Sequence, residues 1–260
     1  MALSPKFLYN TALFDGATIT SNSEASGLPA TNLQDLVVQR VYRTAGTTQL
    51  AYVVFDLGST ILVNMAAVFG HNLTAGLTLQ GNSADSWGSP PYNVGLTIIR
   101  DIDSQRIEKA VTFASGSYRF WRLTIQDTAN TAAYWQIGRF VAGTAFSPAQ
   151  PFDLAGASRT DTDPSIIDEA ESQTPYSRQR AMIRAYRVNF SNIDTYVDHQ
   201  NFYAMYRLKG NRLPFAACFN PDDATFYAQD TIYGVLTQPM AQALAIMRYG
   251  DLSIAMREVW

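Results

Sequence analysis

The sequence predicts a mainly β protein of two antiparallel β-sandwich units, the second flanked by one helix. Three observations lead there. Apolar and polar residues alternate with period two through much of residues 52–141, as half-buried strands require. Clusters of Gly, Asn, Asp and Ser cut that alternation into short runs, the spacing of a sandwich of short strands. Only one long segment, 192–209, carries helix punctuation.

Val53, Phe55 and Leu57 share one face of the first clear strand, and Gly58-Ser59 reads as the turn that closes it. Ile61, Val63, Met65, Ala67 and Phe69 continue the pattern, and Gly70-His71-Asn72 turns the chain out. Leu77 and Leu79 begin a third strand, ended by Gly81 to Ser83. Residues 93–102 are a further candidate. Trp121, Leu123 and Ile125 alternate, and so do Ile137 and Val141. "NLQDLVV", residues 32–38, suits a short helical turn.

Between Phe146 and Pro175 the periodicity fades, and prolines and acidic residues accumulate. This predicts a linker or extended arm over 149–175, between units at 1–148 and 176–260. The second unit opens on the strand "RQRAMIRAYRVNF". In the helix that follows, Ser191 and Asp194 resemble a capping box. Ile193, Val197, Ala204 and Leu208 line one face, with Tyr196 and Tyr203 beside them. Gly210 suits the C-terminal cap. "PFAACF", "TIYGVLT" and "DLSIAMREVW" return to strand.

Composition narrows the function classes. The 260 residues are 47% hydrophobic and only 16% charged, with a formal net charge of −3. That leaves no basic footprint for nucleic acid. No apolar run is long enough to span a membrane, and the N-terminus lacks the apolar core of a secretory signal. A single cysteine, Cys218, excludes a disulfide within the chain; in "FAACFN" it reads as a small buried hydrophobe. The two histidines, His71 and His199, have no second histidine or cysteine at ligand spacing. No G-x-S-x-G elbow supports a catalytic triad. The acidic pairs Asp101/Asp103, Asp161/Asp163 and Asp222/Asp223 sit in polar turn contexts without the other ligands of a calcium loop. "NLT" at 72–74 matches a glycosylation sequon, which has no bearing without secretion. No cofactor, metal or catalytic residue is predicted.

The order of these segments resembles a known family. Asn32 and Asp35 in "LPATNLQD", then Asp56-Leu57-Gly58, then the "GHN" turn follow the pattern of discoidin-type (galactose-binding-like) β-sandwiches. Gly81, Ser83, Asp85 and Trp87 match "G-S-x-D-x-W" with one inserted residue, and Trp121, Arg122 and Leu123 match the late "Y-x-R-L-x-I" strand. The usual acidic residue of the last strand is Gln136 here. The resemblance covers about residues 15–145 and implies a jelly roll with Asn32, Asp35, Asp56, Gly58, Trp121 and Arg122 as structural motif residues.

The wording "FDLGS…GHNL" is similar to versions in phage tail proteins, and residues 176–260 resemble the tail-tube or distal-tail domains of phage tail tips. This resemblance implies a structural component of a virion tail tip or baseplate, made in the host cytoplasm and assembled into a ring. Its partners would be other copies of itself, other tail proteins and a host surface glycan. The alternative is a carbohydrate-binding adhesion module. In that case His71, Asn72, Trp87 and Tyr92 are the candidate ligand or contact residues.

Overall fold

In the computed structural model, residues 4–47, 50–99, 108–169, 175–178, 180–194, 196–223, 226–239, 242–246 and 249–259 are described. The protein is mainly β, and its sheets are antiparallel. The chain opens with β1 (Lys6–Leu8) and a single helical turn, α1 (Ala12–Asp15). Then come β2 (Thr18–Ser21), a 3-10 turn (Ala30–Gln34), β3 (Tyr42–Arg43), β4 (Ala51–Val63), β5 (Met65–Phe69) and β6 (Leu77–Asn82). The first unit is completed by β7 (Tyr92–Gly95), β8 (Thr97–Ile99), β9 (Lys109–Thr112), β10 (Gly116–Ile125), β11 (Gln136–Ile137) and β12 (Arg139–Gly143).

These strands form a sandwich. One sheet has the order β2-β4-β10-β6-β7, the other β12-β5-β9-β8. The alternating residues Val53, Phe55 and Leu57 of β4 and Trp121, Leu123 and Ile125 of β10 face the shared core. The candidate strand at 93–102 is divided: β7 lies in one sheet and β8 in the other, with buried Leu96 at the crossing. Asp101 and Asp103 lie outside the described residues.

Gly58 does not end a strand. β4 runs on to Val63, and the pairing with β10 shifts register between Tyr118 and Phe120. Gly58, at φ +71°, sits in this irregularity. Asp56 Oδ1 accepts its N–H at 2.8 Å. A bulge needs a residue at positive φ as a turn does, so sequence does not separate the two.

The second half contains β13 (Asp153–Thr162), β14 (Ile166–Glu169), β15 (Pro175–Arg178), β16 (Ile183–Asp194), α2 (Asp198–Lys209), β17 (Phe215–Cys218), β18 (Thr231–Leu236), β19 (Gln242–Ile246) and β20 (Tyr249–Glu258). They build one seven-stranded sheet of order β1-β17-β18-β20-β16-β13, with β19 also on β20. The N-terminal strand therefore belongs to the second unit, not to a unit spanning 1–148. Phe7 pairs with Ala217 and also exchanges backbone bonds of 2.8 and 2.9 Å with Phe146. Three residues are too few for a period to register, and β17 needs a partner for its outer N–H and C=O groups.

The stretch 149–175, read as a linker, contains β13, the outermost strand of the sheet, and β14, half of the β14–β15 hairpin. Most of β13 is solvent-exposed. With little burial on either side, nothing imposes an apolar period on its sequence.

The helix starts later than predicted. Residues 191–194 still belong to β16, and Ser191 Oγ donates to Asp153 Oδ2 at 2.5 Å instead of capping. Phe202 and Met205 are the buried apolar residues of α2, whereas Val197, Tyr203 and Leu208 are exposed, as is Tyr196 just before the helix. Phe202 is drawn in by an aromatic group contributed from distant sequence, Phe7 at 5.7 Å and Phe146 at 5.0 Å. Gly210 does end the helix, with φ +54° and its N–H on the Tyr206 carbonyl at 2.7 Å.

The sheets stack in layers. In β5, Ala66 and Val68 face the sandwich core, while Met65, Ala67 and Phe69 face the seven-stranded sheet. Both faces of this middle sheet are covered, so β5, β9 and β12 are buried at every position. Leu8, Ala216, Cys218 and Tyr233 meet it from the other side. The far face of the seven-stranded sheet, with Phe7, Val188, Phe190 and Ile232, packs on α2. Lys109 and Glu258 form an ion pair of 2.5 Å across the middle interface.

Candidate functional site

The predicted ligand residues do not converge. His71 is buried, and its Nδ1 accepts the Leu73 N–H at 3.1 Å. Asn72 staples the loop to the chain end of the sandwich: Nδ2 donates to the Tyr134 carbonyl at 2.9 Å and Oδ1 accepts the Gln136 N–H at 2.8 Å. This half-buried amide braces the fold. Tyr92 is a core residue, its ring 5.2 Å from Trp121 and its hydroxyl on the Ala114 carbonyl at 2.9 Å. Burial raises the Tyr92 pKa. Of the four, Trp87 alone offers a ring to the surface, half exposed.

The motif residues hold loops and core. Asn32 Nδ2 donates to the Val41 carbonyl at 2.8 Å. Asp35 accepts the Val37 N–H at 2.9 Å and pairs with Arg40 at 2.8 Å. Asp56 receives Arg119 in a two-bond fork of 2.7 and 2.8 Å. Those bonds, with the Gly58 N–H, lower the Asp56 pKa to about 2. Trp121 is fully buried, its Nε1 donating to the Tyr118 carbonyl at 3.1 Å. The other singled-out residues have similar roles. Burial pushes the Cys218 thiol up to about 12. His199 stacks on Tyr203 at 6.2 Å. Among the described residues no group of three or more His, Cys, Asp or Glu is placed to hold a metal ion, and no helix is long and apolar enough to cross a membrane.

A preorganised polar surface does exist, on the outer face of the five-stranded sheet. Period two points Arg122 of β10 outward between the inward Trp121 and Leu123, and it does the same for Gln80 between Leu79 and Gly81. The registers place Arg122 beside Gln80 and Gln80 beside Asn93. A chain of hydrogen bonds follows this row. Arg122 Nε donates to Gln80 Oε1 at 2.8 Å, and Gln80 Nε2 donates to Asn93 Oδ1 at 3.2 Å.

The loop between β6 and β7 lays Trp87 over this row. Its indole centroid is 4.5 Å from the Arg122 guanidinium carbon, and the Tyr52 ring is 5.4 Å from it. The loop is internally braced. Trp87 Nε1 donates to Asp85 Oδ1 at 2.6 Å, and Asn82 donates to the Ser86 carbonyl at 2.5 Å. The result is an aromatic ring with its edge fixed, next to planar amide and guanidinium groups whose orientations are also fixed. Such a surface can stack on an apolar ring face and hydrogen-bond the polar rim of the same ligand. Tyr52, Gln80 and Asn93 escaped the sequence reading. Alternation marks them as outward, but only the strand order β4-β10-β6-β7 makes them neighbours.

A second concavity, of about 200 Å³, lies where β13 shifts register against β16. Phe152, Tyr186 and Phe219 line it, and its polar groups bind one another: Tyr186 donates to Asp230 at 2.7 Å.

No protein-family model matches the chain, and no curated protein does. Solved structures are similar to about half of it. A chitosan-binding module from a chitosanase/glucanase of Paenibacillus sp. IK-5, solved with chitotriose, is 18% identical over 51% of this chain and 99% of its own, with a TM-score of 0.39. The lectin domain of lectinolysin, in complex with Lewis B antigen, is 16% identical over 50% of this chain and 94% of its own, with a TM-score of 0.40. A family 32 carbohydrate-binding module of C. perfringens NanJ, in complex with galactose, is 9% identical over 53% of this chain and 98% of its own, with a TM-score of 0.39.

Proposed function

We propose that this protein is a non-catalytic carbohydrate-binding protein whose sandwich holds a glycan against Trp87. One observation supports this above the others: the braced Trp87 ring lies beside the ordered row Arg122–Gln80–Asn93. A sugar ring has an apolar face and a rim of hydroxyls, and those two features match an indole next to planar hydrogen-bonding groups. A binding role without turnover is also supported by the state of Cys218 and His71. Cys218 is buried with a raised pKa, and His71 is buried with Nδ1 engaged. The test is a glycan array on the full chain, followed by calorimetry on the best ligands. Binding in the micromolar range, lost by at least tenfold in Trp87→Ala with unchanged thermal stability, is expected. Retention of full affinity in that variant would refute the site.

A second reading, a structural part of a virion tail tip, draws support from the second unit. β13 is an exposed edge strand of ten residues, and such edges commonly pair with another chain. The two readings are compatible, since an assembled unit could display the sandwich. Mass photometry decides this one: a ring of defined copy number supports it, and a strict monomer at micromolar concentration removes it.

A further inference from the structure

We infer that the ligand class of the Trp87 site is an acidic glycan, one whose sugar carries a carboxylate or sulfate that pairs with Arg122. The inference rests on the carbohydrate-binding proposal and adds to it the charge of the ligand.

Two other strand arginines of the sandwich have carboxylate partners. Arg119, three residues before Arg122 on the same strand, is neutralised by the two-bond fork to Asp56. Arg139 of β12 is paired with Asp15 at 2.5 Å. Among the described residues no carboxylate bonds to Arg122. Its Nε is used by the neutral Gln80, and one Nη2 contact reaches the Trp87 carbonyl at 3.5 Å. Its remaining N–H groups have no acceptor among the described residues. A guanidinium has five donors in a planar fork that matches a carboxylate or sulfate two bonds at a time.

Arg122 is also half-buried, between the Trp87 and Tyr52 rings. Burial of its charge lowers its pKa, which is the direction of an uncompensated cation. A ligand anion would restore that compensation where Arg119 obtains it from Asp56. Asp85 does not fill the role. It acts on Arg122 only through space, and its Oδ1 is committed to the Trp87 N–H at 2.6 Å. The Gln80 bond holds the guanidinium still, so its free edge has one orientation. A neutral sugar would leave those donors to water, whereas an acidic one makes charge-assisted bonds with them.

The experiment titrates the full chain with matched pairs, sialyllactose against lactose and oligogalacturonate against galacto-oligosaccharide, at low and at physiological salt. The acidic member of at least one pair is expected to bind about tenfold tighter, with an advantage that shrinks as salt rises. Arg122→Gln should remove the advantage while leaving residual binding of the neutral member, and Trp87→Ala should remove both. Equal affinity within each pair, or an acidic preference that survives Arg122→Gln, overturns the inference. Neutral-sugar binding that depends on Trp87, without acidic preference, would overturn it and leave the carbohydrate reading standing. Absence of binding to either class ends both. Circular dichroism on Arg122→Gln separates loss of the ligand bond from loss of fold.

Discussion

Lys109 and Glu258 meet at 2.5 Å with both side chains almost fully buried, one on β9 of the middle sheet and one at the C-terminal end of β20, an interior strand of the seven-stranded sheet. This pair ties the two units together in the layer where neither has access to water. Removing one partner of a buried pair strands the other charge, so Glu258→Gln is expected to cost about 3 kcal/mol. The double variant Lys109→Met/Glu258→Leu should recover most of that loss. Urea unfolding of the three chains measures the coupling.

β1 acts as a strap. Phe7 is fully buried among Phe146, Phe202 and Phe219. Phe7→Ala should destabilise by about 3 kcal/mol. Deleting the first nine residues should do at least as much, because β17 then loses its outer partner. The amides of Phe215–Cys218 are expected to lose hydrogen-exchange protection in that chain while the sandwich core keeps it.

The two rings once grouped as ligand candidates should separate on stability. Tyr92→Ala opens the core beside Trp121 and should cost about 3 kcal/mol. Trp87→Ala, at the surface, should change stability by less than about 1 kcal/mol. Thermal melts of the two variants test this without any ligand.

Acid should destabilise the fold. Arg119 and the Gly58 N–H hold the Asp56 pKa down at about 2. Asp127 is also lowered: burial opposes the shift, but the hydrogen bonds from Thr74, Ala75 and Asn130 together outweigh it. A carboxyl whose folded pKa is depressed contributes stability above its unfolded value of about 3.9 and loses it as pH falls through the folded value. Asp198, raised by burial, runs the other way and is lost as a stabiliser when pH rises through its folded pKa. Three lowered groups in the sandwich, Asp35, Asp56 and Asp127, against one raised group, Asp198, predict falling stability between about pH 4 and 2. Asp56→Asn should flatten that fall in a pH series of denaturant midpoints.

Glycines at 58 and 138 should respond differently to alanine. At Gly138 an added Cβ would sit 2.1 Å from the Val38 carbonyl oxygen, so the backbone must move. Gly138→Ala is expected to cost more than about 2 kcal/mol. At Gly58 nothing lies within 4 Å, and only the positive φ of +71° opposes a side chain. Gly58→Ala should cost about 1 kcal/mol. Paired denaturation curves decide it.

Period two in Val53-Phe55-Leu57 and Trp121-Leu123-Ile125 was enough to place the sandwich core, because a strand with one buried face must alternate. The cap at Gly210 was equally readable, since a positive-φ position that ends a helix favours glycine and so has a local signature. By itself the sequence also placed Trp87 in a loop between strands. It could not indicate that β10 lies between β4 and β6, so the row Arg122–Gln80–Asn93 stayed hidden. Nor did it reveal β1 in the second unit, the exposed β13, or the buried face of α2. Those were decided by contacts between residues far apart in the chain: Phe7 with Phe202, Lys109 with Glu258, Arg122 with Gln80. Local pattern records which side of an element is buried, and only the packed tertiary structure settles which element covers it.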